Sequence, residues 1–168
     1  DRVETIEILV IDDGSTDDTA NLALSAGAQV VSLKRNYGVG VAFQTAIQYA
    51  LDNGADILVG IDADNQFDPA EISILITPII DRKADMVIGN RFSSGKPRNM
   101  PGIKFWGNQV MASLVNIIAR QKFQDVSCGF RAHNRESLLR LNIFADFTYT
   151  QESILSLIYQ KLKVIDHP

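Results

Sequence analysis

Short apolar runs alternate with longer segments in which apolar residues recur every three or four positions. Residues 6–11, 29–33, 57–61 and 86–89 read as buried strands, with shorter strand signals near Phe130 and at 163–166. Between them the helical period predicts helices over 17–25, 41–51, 69–82, 103–120, from 135, and over 151–161. Ser or Thr in the Gly14-Ser15-Thr16 turn is placed to cap the first helix, and Asn53-Gly54 to end the second. Pro69 suits a first helical turn, and residues 93–101 read as a polar loop. In the 103–120 helix, Ile103, Trp106, Val110, Leu114 and Ile117 form a stripe expected to face the core. This alternation predicts an α/β fold in which helices flank a largely parallel sheet. Ligands of such sheets bind at the carboxyl ends of strands.

Composition fits one globular domain over residues 1–168, since 46% of the residues are hydrophobic and 21% charged. The net charge of −4 excludes a globally basic nucleic-acid binder. One cysteine, Cys128, and two histidines, His133 and His167, exclude an intrachain disulfide and a Cys/His zinc site. No apolar run approaches the ~20 residues that span a bilayer. The chain lacks an initiator Met, enters a strand almost at once and ends just after another, so it reads as truncated at both ends.

The charge is divided along the sequence. Residues 1–90 hold five Lys/Arg against fifteen Asp/Glu, whereas residues 91–140 hold nine against two. An acidic first part suits a divalent cation, and a basic second part suits phosphate or an anionic membrane surface. Lys96, Arg98, Lys104, Arg120 and Lys122 surround the 103–120 helix, which admits an interfacial role as the alternative to core packing.

Both acidic motifs fall at strand ends. Asp62-Ala63-Asp64-Asn65-Gln66 places two carboxylates and an amide oxygen where they can converge on a hard cation; the alternative is a turn with a helix cap. An EF-hand is excluded, because Phe67 and Ser73 stand where its Gly and Glu belong. Asp12-Asp13 either accepts hydrogen bonds from a nucleobase or ribose, or belongs to a capping turn. Gly38-x-Gly40 lacks the third glycine of a dinucleotide site, Phe43 standing there. Arg91 offers a forked phosphate ligand. Asp125 and Arg131 flank a turn as site residues or as a structural ion pair.

In order, Val10-Ile11-Asp12-Asp13-Gly14-Ser15-Thr16-Asp17, Asn36-Tyr37-Gly38-Val39-Gly40, Asp62-Ala63-Asp64-Asn65-Gln66-Phe67-Asp68-Pro69, Gly89-Asn90-Arg91-Phe92, Asp125-Val126-Ser127-Cys128-Gly129-Phe130-Arg131 and Tyr149-Thr150-Gln151-Glu152 resemble the family 2 glycosyltransferases of GT-A fold. Within that family they look most like the polyprenyl- or dolichol-phosphate mannosyl- and glucosyltransferases. The resemblance implies a nucleotide-sugar donor, GDP- or UDP-linked, and inverting transfer of a hexose, with polyprenyl phosphate as the expected acceptor. It implies Mg²⁺ or Mn²⁺ at Asp64 and Gln66, Asp62 near the ribose and phosphates, and a base read by Asp12 or Asp13. Arg91 would bind phosphate, and Asp125 and Arg131 would shape the sugar and acceptor side. A hydroxyl acceptor would need a carboxylate base, for which Asp125 and Glu152 are the candidates.

The expected place of work is the cytoplasmic face of a membrane. Val39 stands where the family usually carries Lys, and the family's first strand is missing. The alternatives are transfer to a saccharide hydroxyl in cell-envelope polysaccharide synthesis, an Mg²⁺-dependent Asp-x-Asp phosphatase, a nucleotidyltransferase, or a scaffold without turnover.

Overall fold

The computed structural model describes residues 2–92, 100–143 and 148–167. Most of the expected 93–101 loop lies outside them. The chain packs as two compact units, residues 1–54 with 143–149, and residues 55–142 with 150–168.

The first unit contains β1 (Leu9–Asp12), α1 (Thr19–Ser25), β2 (Gln29–Ser32) and α2 (Val39–Asp52). β1 and β2 pair in parallel, Leu9 opposite Gln29 and Asp12 opposite Ser32. The strand expected from residue 6 begins only at Leu9. β2 supplies no partner before Gln29, and Ile6 and Ile8 are solvent-exposed. At the start of α1 it is Asp17, not Ser or Thr, that accepts from the Thr19 backbone N–H. Gly14 is a position only glycine fills comfortably: its φ is +77°, and a Cβ there would lie 2.4 Å from the Arg35 carbonyl carbon.

The second unit holds β3 (Ile57–Gly60), a 3₁₀ turn at Pro69–Glu71, α3 (Ile72–Ile80), β4 (Met86–Gly89), α4 (Gly102–Ala119), β5 (Arg131–Asn134), α5 (Arg135–Arg140) and β6 (Val164–His167). α6 (Tyr149–Tyr159) belongs to it from Thr150 onward. Its sheet has the order β3-β5-β4-β6. β4 is the centre of the core: Met86, Val87 and Ile88 are fully buried and cluster with Leu75 and Ile79 of α3, and with Ile154 and Leu157 of α6.

Two expectations about the sheet change. β1 and β3 fall in separate sheets, and pairing in the larger one is mixed rather than largely parallel. β4 and β6 are parallel, but β5 runs antiparallel to both β3 and β4. The residues before β5 return to the edge where β3 and β4 end, so β5 has to enter the sheet from that edge and run the opposite way. Apolar runs specify burial and carry no information on strand direction.

The stripe of α4 is also reversed. Ile103, Trp106, Val110, Leu114 and Ile117 are all exposed, while Asn108, Ala112 and Val115 face the core. The inward side is small and amide-bearing because it holds a loop. Asn116 makes a reciprocal pair with Phe123, donating to its carbonyl at 3.0 Å and accepting from its N–H at 2.8 Å. Asn108 Oδ1 accepts from the Ser127 hydroxyl.

Candidate active site

The register of β5 defines the site. Arg131 lies opposite Gly60 of β3 and Ile88 of β4. The residues after β3 (61–66), after β4 (90–92) and before β5 (125–130) therefore meet at one sheet edge. Chemistry-bearing side chains from three distant stretches converge there.

Asp62 and Asp64 stand on an exposed turn after β3. Asn65 takes a positive φ of 61°, and the Gln66 N–H donates to the Asp64 carboxylate at 3.1 Å. Asn adopts this left-handed conformation more readily than most residues. Burial pushes the Asp62 carboxyl above its ordinary pKa, and the neighbouring Asp64 charge adds to it; Arg91 and Arg131 pull the other way. Gly129 packs directly under Asp62, for a Cβ there would lie 2.5 Å from Asp62 Oδ2.

Arg91 and Asp125 form a two-pronged ion pair, Nε to Oδ2 at 2.7 Å and Nη2 to Oδ1 at 3.0 Å. Nη2 also donates to the Ser127 hydroxyl at 3.0 Å. Asp125 is fully buried, whereas the Arg91 side chain is 20% exposed. Burial opposes the guanidinium charge, but the Asp125 bond outweighs it and raises Arg91 above its ordinary pKa. The pair thus holds a cation fixed at a partly open position, with the carboxylate as its anchor.

Arg131 is not the partner of Asp125. It is buried to 1% exposure, and donates to the carbonyls of Cys128, Thr150 and Val126 and to the Ser153 hydroxyl. This geometry ties the 125–131 loop to α6. Glu152 lies half-buried in the first turn of α6. The Cys128 thiol is buried and pushed up to about 12, so it is unreactive at neutral pH.

In the first unit, the Asp12 carboxylate accepts from the Ser15 backbone N–H at 2.9 Å. Bonds from Ser15 hold it below the ordinary carboxylate range. Asp13 uses both oxygens, accepting from the Tyr37 and Gly38 N–H groups at 2.8 Å each. The two acids shape the turns around them.

Ser127, Asn108 and Gly129 were not singled out in the sequence. Ser127 and Gly129 lie inside the Asp125–Arg131 motif, and that was the only available signal.

Among the described residues no group of three or more His, Cys, Asp or Glu side chains forms a closed metal site. The two carboxylates and the Gln66 amide are hard oxygen donors on an exposed turn. They suit a divalent cation that completes its shell with substrate phosphates and water.

The glycosyl transferase family 2 pattern matches residues 2–141. The chain belongs to this family. It is 33% identical over 151 residues to the polyprenol monophosphomannose synthase of Mycolicibacterium smegmatis, covering 83% of this chain and 55% of that protein. It is 31% identical over 149 residues to the UDP-N-acetylglucosamine–dolichyl-phosphate N-acetylglucosaminyltransferase of Methanococcus voltae, covering 78% and 59%. Glucosyl-3-phosphoglycerate synthase from Mycobacterium tuberculosis, crystallised with Mn²⁺, UDP and phosphoglyceric acid, superposes with a TM-score of 0.76 at 21% identity, over 95% of this chain and 56% of that one. That likeness shows the GT-A-type fold. The chain spans about half the length of the curated relatives it matches. Membership in family 2 sets aside the phosphatase and nucleotidyltransferase readings.

Proposed function

We propose that residues 1–168 are part of one catalytic domain. It moves a hexose from a GDP- or UDP-linked donor to polyprenyl or dolichyl phosphate, with inversion, at the cytoplasmic face of a membrane. The observation that carries this reading is the meeting of the Asp62/Asp64 turn with the anchored Arg91 at one sheet edge. The lipid-phosphate acceptors named for two relatives and the Mn²⁺–UDP complex of the structural neighbour support it.

Asp62, Asp64 and Gln66 would hold Mg²⁺ or Mn²⁺, and Asp12 or Asp13 would read the base. When bound, the cation supplies a Lewis acid for the charge that develops on the departing diphosphate. An oxygen of the acceptor phosphate attacks the anomeric carbon from the opposite face. The new carbon–oxygen bond forms as the bond to the β-phosphate breaks, and the electron pair leaves with the nucleoside diphosphate. A phosphate oxygen is already anionic at pH 7, so no general base is required. Asp125 is accordingly free to be a buried anchor, and Arg91 presents its charge to phosphate. Arg131 positions the Asp125 loop, and Glu152 would serve as the carboxylate base only if the acceptor were a hydroxyl.

Calorimetric titration with UDP- and GDP-sugars, in Mn²⁺ and in EDTA, tests the reading. One nucleotide sugar is expected to bind only with metal, and Asp64→Ala to abolish that binding. Binding of neither by the folded protein, or binding indifferent to EDTA, rejects the metal-dependent donor site.

A further inference from the structure

We infer that the outward face of α4 docks the protein on an anionic lipid surface. This deepens the lipid-phosphate reading by naming the surface on which that acceptor is met. Ile103, Trp106, Val110, Leu114, Ile117 and Ile118 all point away from the core, Trp106 at 68% and Ile117 at 74% exposure. Their spacing of three and four places them on one side of the helix. The other side is committed to the core and the Asp125 loop through Asn108, Ala112 and Val115. A contiguous apolar helix face of this kind marks an interaction surface.

Charge selects the occupant. Lys104, Arg120 and Lys122 are exposed at the two ends of α4, and no acidic residue occurs from Met86 to Gln124. Apolar side chains with lysine or arginine at both ends of the helix, and one tryptophan among them, match the layer where acyl chains meet anionic headgroups. No helix among the described residues is long and apolar enough to cross a membrane, so α4 lies on the surface rather than through it. Docking by this face leaves the loop that carries Asp125 and Ser127 about one helix diameter, ~10 Å, from the lipid surface, because the inner face of the same helix holds that loop.

Trp106 is the only tryptophan of the chain and so reports on α4 directly. The probe is a phosphatidylcholine vesicle with about 30% phosphatidylglycerol and no polyprenyl phosphate. Trp106 emission is expected to shift to the blue and to be quenched by lipids brominated in their acyl chains. Leu114→Glu with Ile117→Glu, both exposed positions, is expected to lower partitioning by about tenfold or more while metal-dependent nucleotide binding is retained. Lys104→Gln with Lys122→Gln is expected to reduce the preference for anionic over neutral vesicles.

Unchanged Trp106 emission, or equal partitioning of the Glu variant, overturns the inference. So does a dimer that this variant dissociates without any vesicle response, since the face then belongs to a second copy. Vesicle binding without transfer to polyprenyl phosphate rejects the acceptor reading alone. Transfer to detergent-dispersed polyprenyl phosphate without vesicle binding rejects the docking surface alone.

Discussion

Arg91 and Arg131 are both charged and both largely buried, yet they are held by different means. Arg91 has a carboxylate and an opening, whereas Arg131 is bound to backbone carbonyls and the Ser153 hydroxyl with almost no exposure. The first arrangement suits a ligand contact and the second a brace. Gly129 is the residue between them that constrains Asp62. A methyl group at that position meets Asp62 Oδ2 at 2.5 Å and forces the carboxylate to move. Gly129→Ala is therefore expected to weaken Mn²⁺-dependent nucleotide binding by about tenfold, or about 1.4 kcal/mol. In an Asp62→Ala background the same change is expected to cost nothing further, and a calorimetric double-mutant cycle checks this. Additive losses would mean that Gly129 acts through the loop backbone instead.

His133 of β5 is a second residue-scale case. Burial, with the Arg131 charge added, lowers its pKa to about 3. The unfolded chain takes up this proton near pH 6.5 and the folded chain only near pH 3, so stability falls as pH drops through that window. By pH 5 the loss is about 2 kcal/mol. Urea unfolding at pH 7 and pH 5 is expected to show it, and His133→Gln to remove most of the difference.

Among the elements, α4 shows what the sequence carried and where it misled. Its limits were legible, 103–120 expected against Gly102–Ala119, and β4 and the start of α5 matched to the residue. Local period and turn residues encode such boundaries. The facing of α4 was not legible, because an apolar stripe ordinarily seeks the core and here the core side is taken by amides that serve the loop. The same limit hid the Arg91–Asp125 pair. Asp125 and Arg131 are near in sequence, but the reversal of β5 is what brings Arg91 to Asp125. Asn116→Ala tests whether α4 holds the loop. It leaves the buried Phe123 with an N–H and a carbonyl unpaired, at a cost of about 1–3 kcal/mol. Reduced urea stability together with faster hydrogen exchange at the Phe123 amide is the expected result. Unchanged exchange there would show that the loop is held by other contacts.

For the whole molecule, the division of charge along the chain would, on the proposed function, put the two substrates in different electrostatic regimes. The acidic first ninety residues contain Asp62 and Asp64, which on the proposed reading would meet the donor phosphates through a bound cation. Residues 91–140 contain Arg91 and a surplus of cations, which on the same reading would attract an acceptor phosphate from farther off. Salt discriminates between these cases, since the Debye length shrinks from about 10 Å at 0.1 M to about 3 Å at 1 M while contact pairs are screened much less. Raising NaCl is therefore expected to increase the apparent KM for a short-chain polyprenyl phosphate several-fold. The metal-dependent donor affinity should change by less than about twofold over the same range. A detergent-dispersed acceptor keeps vesicle docking out of the measurement, so the shift reports on the phosphate alone. Equal salt sensitivity of donor and acceptor would place both anions under the same long-range field. The basic segment would then have no special part in acceptor capture, and Arg91 would have to act by contact only.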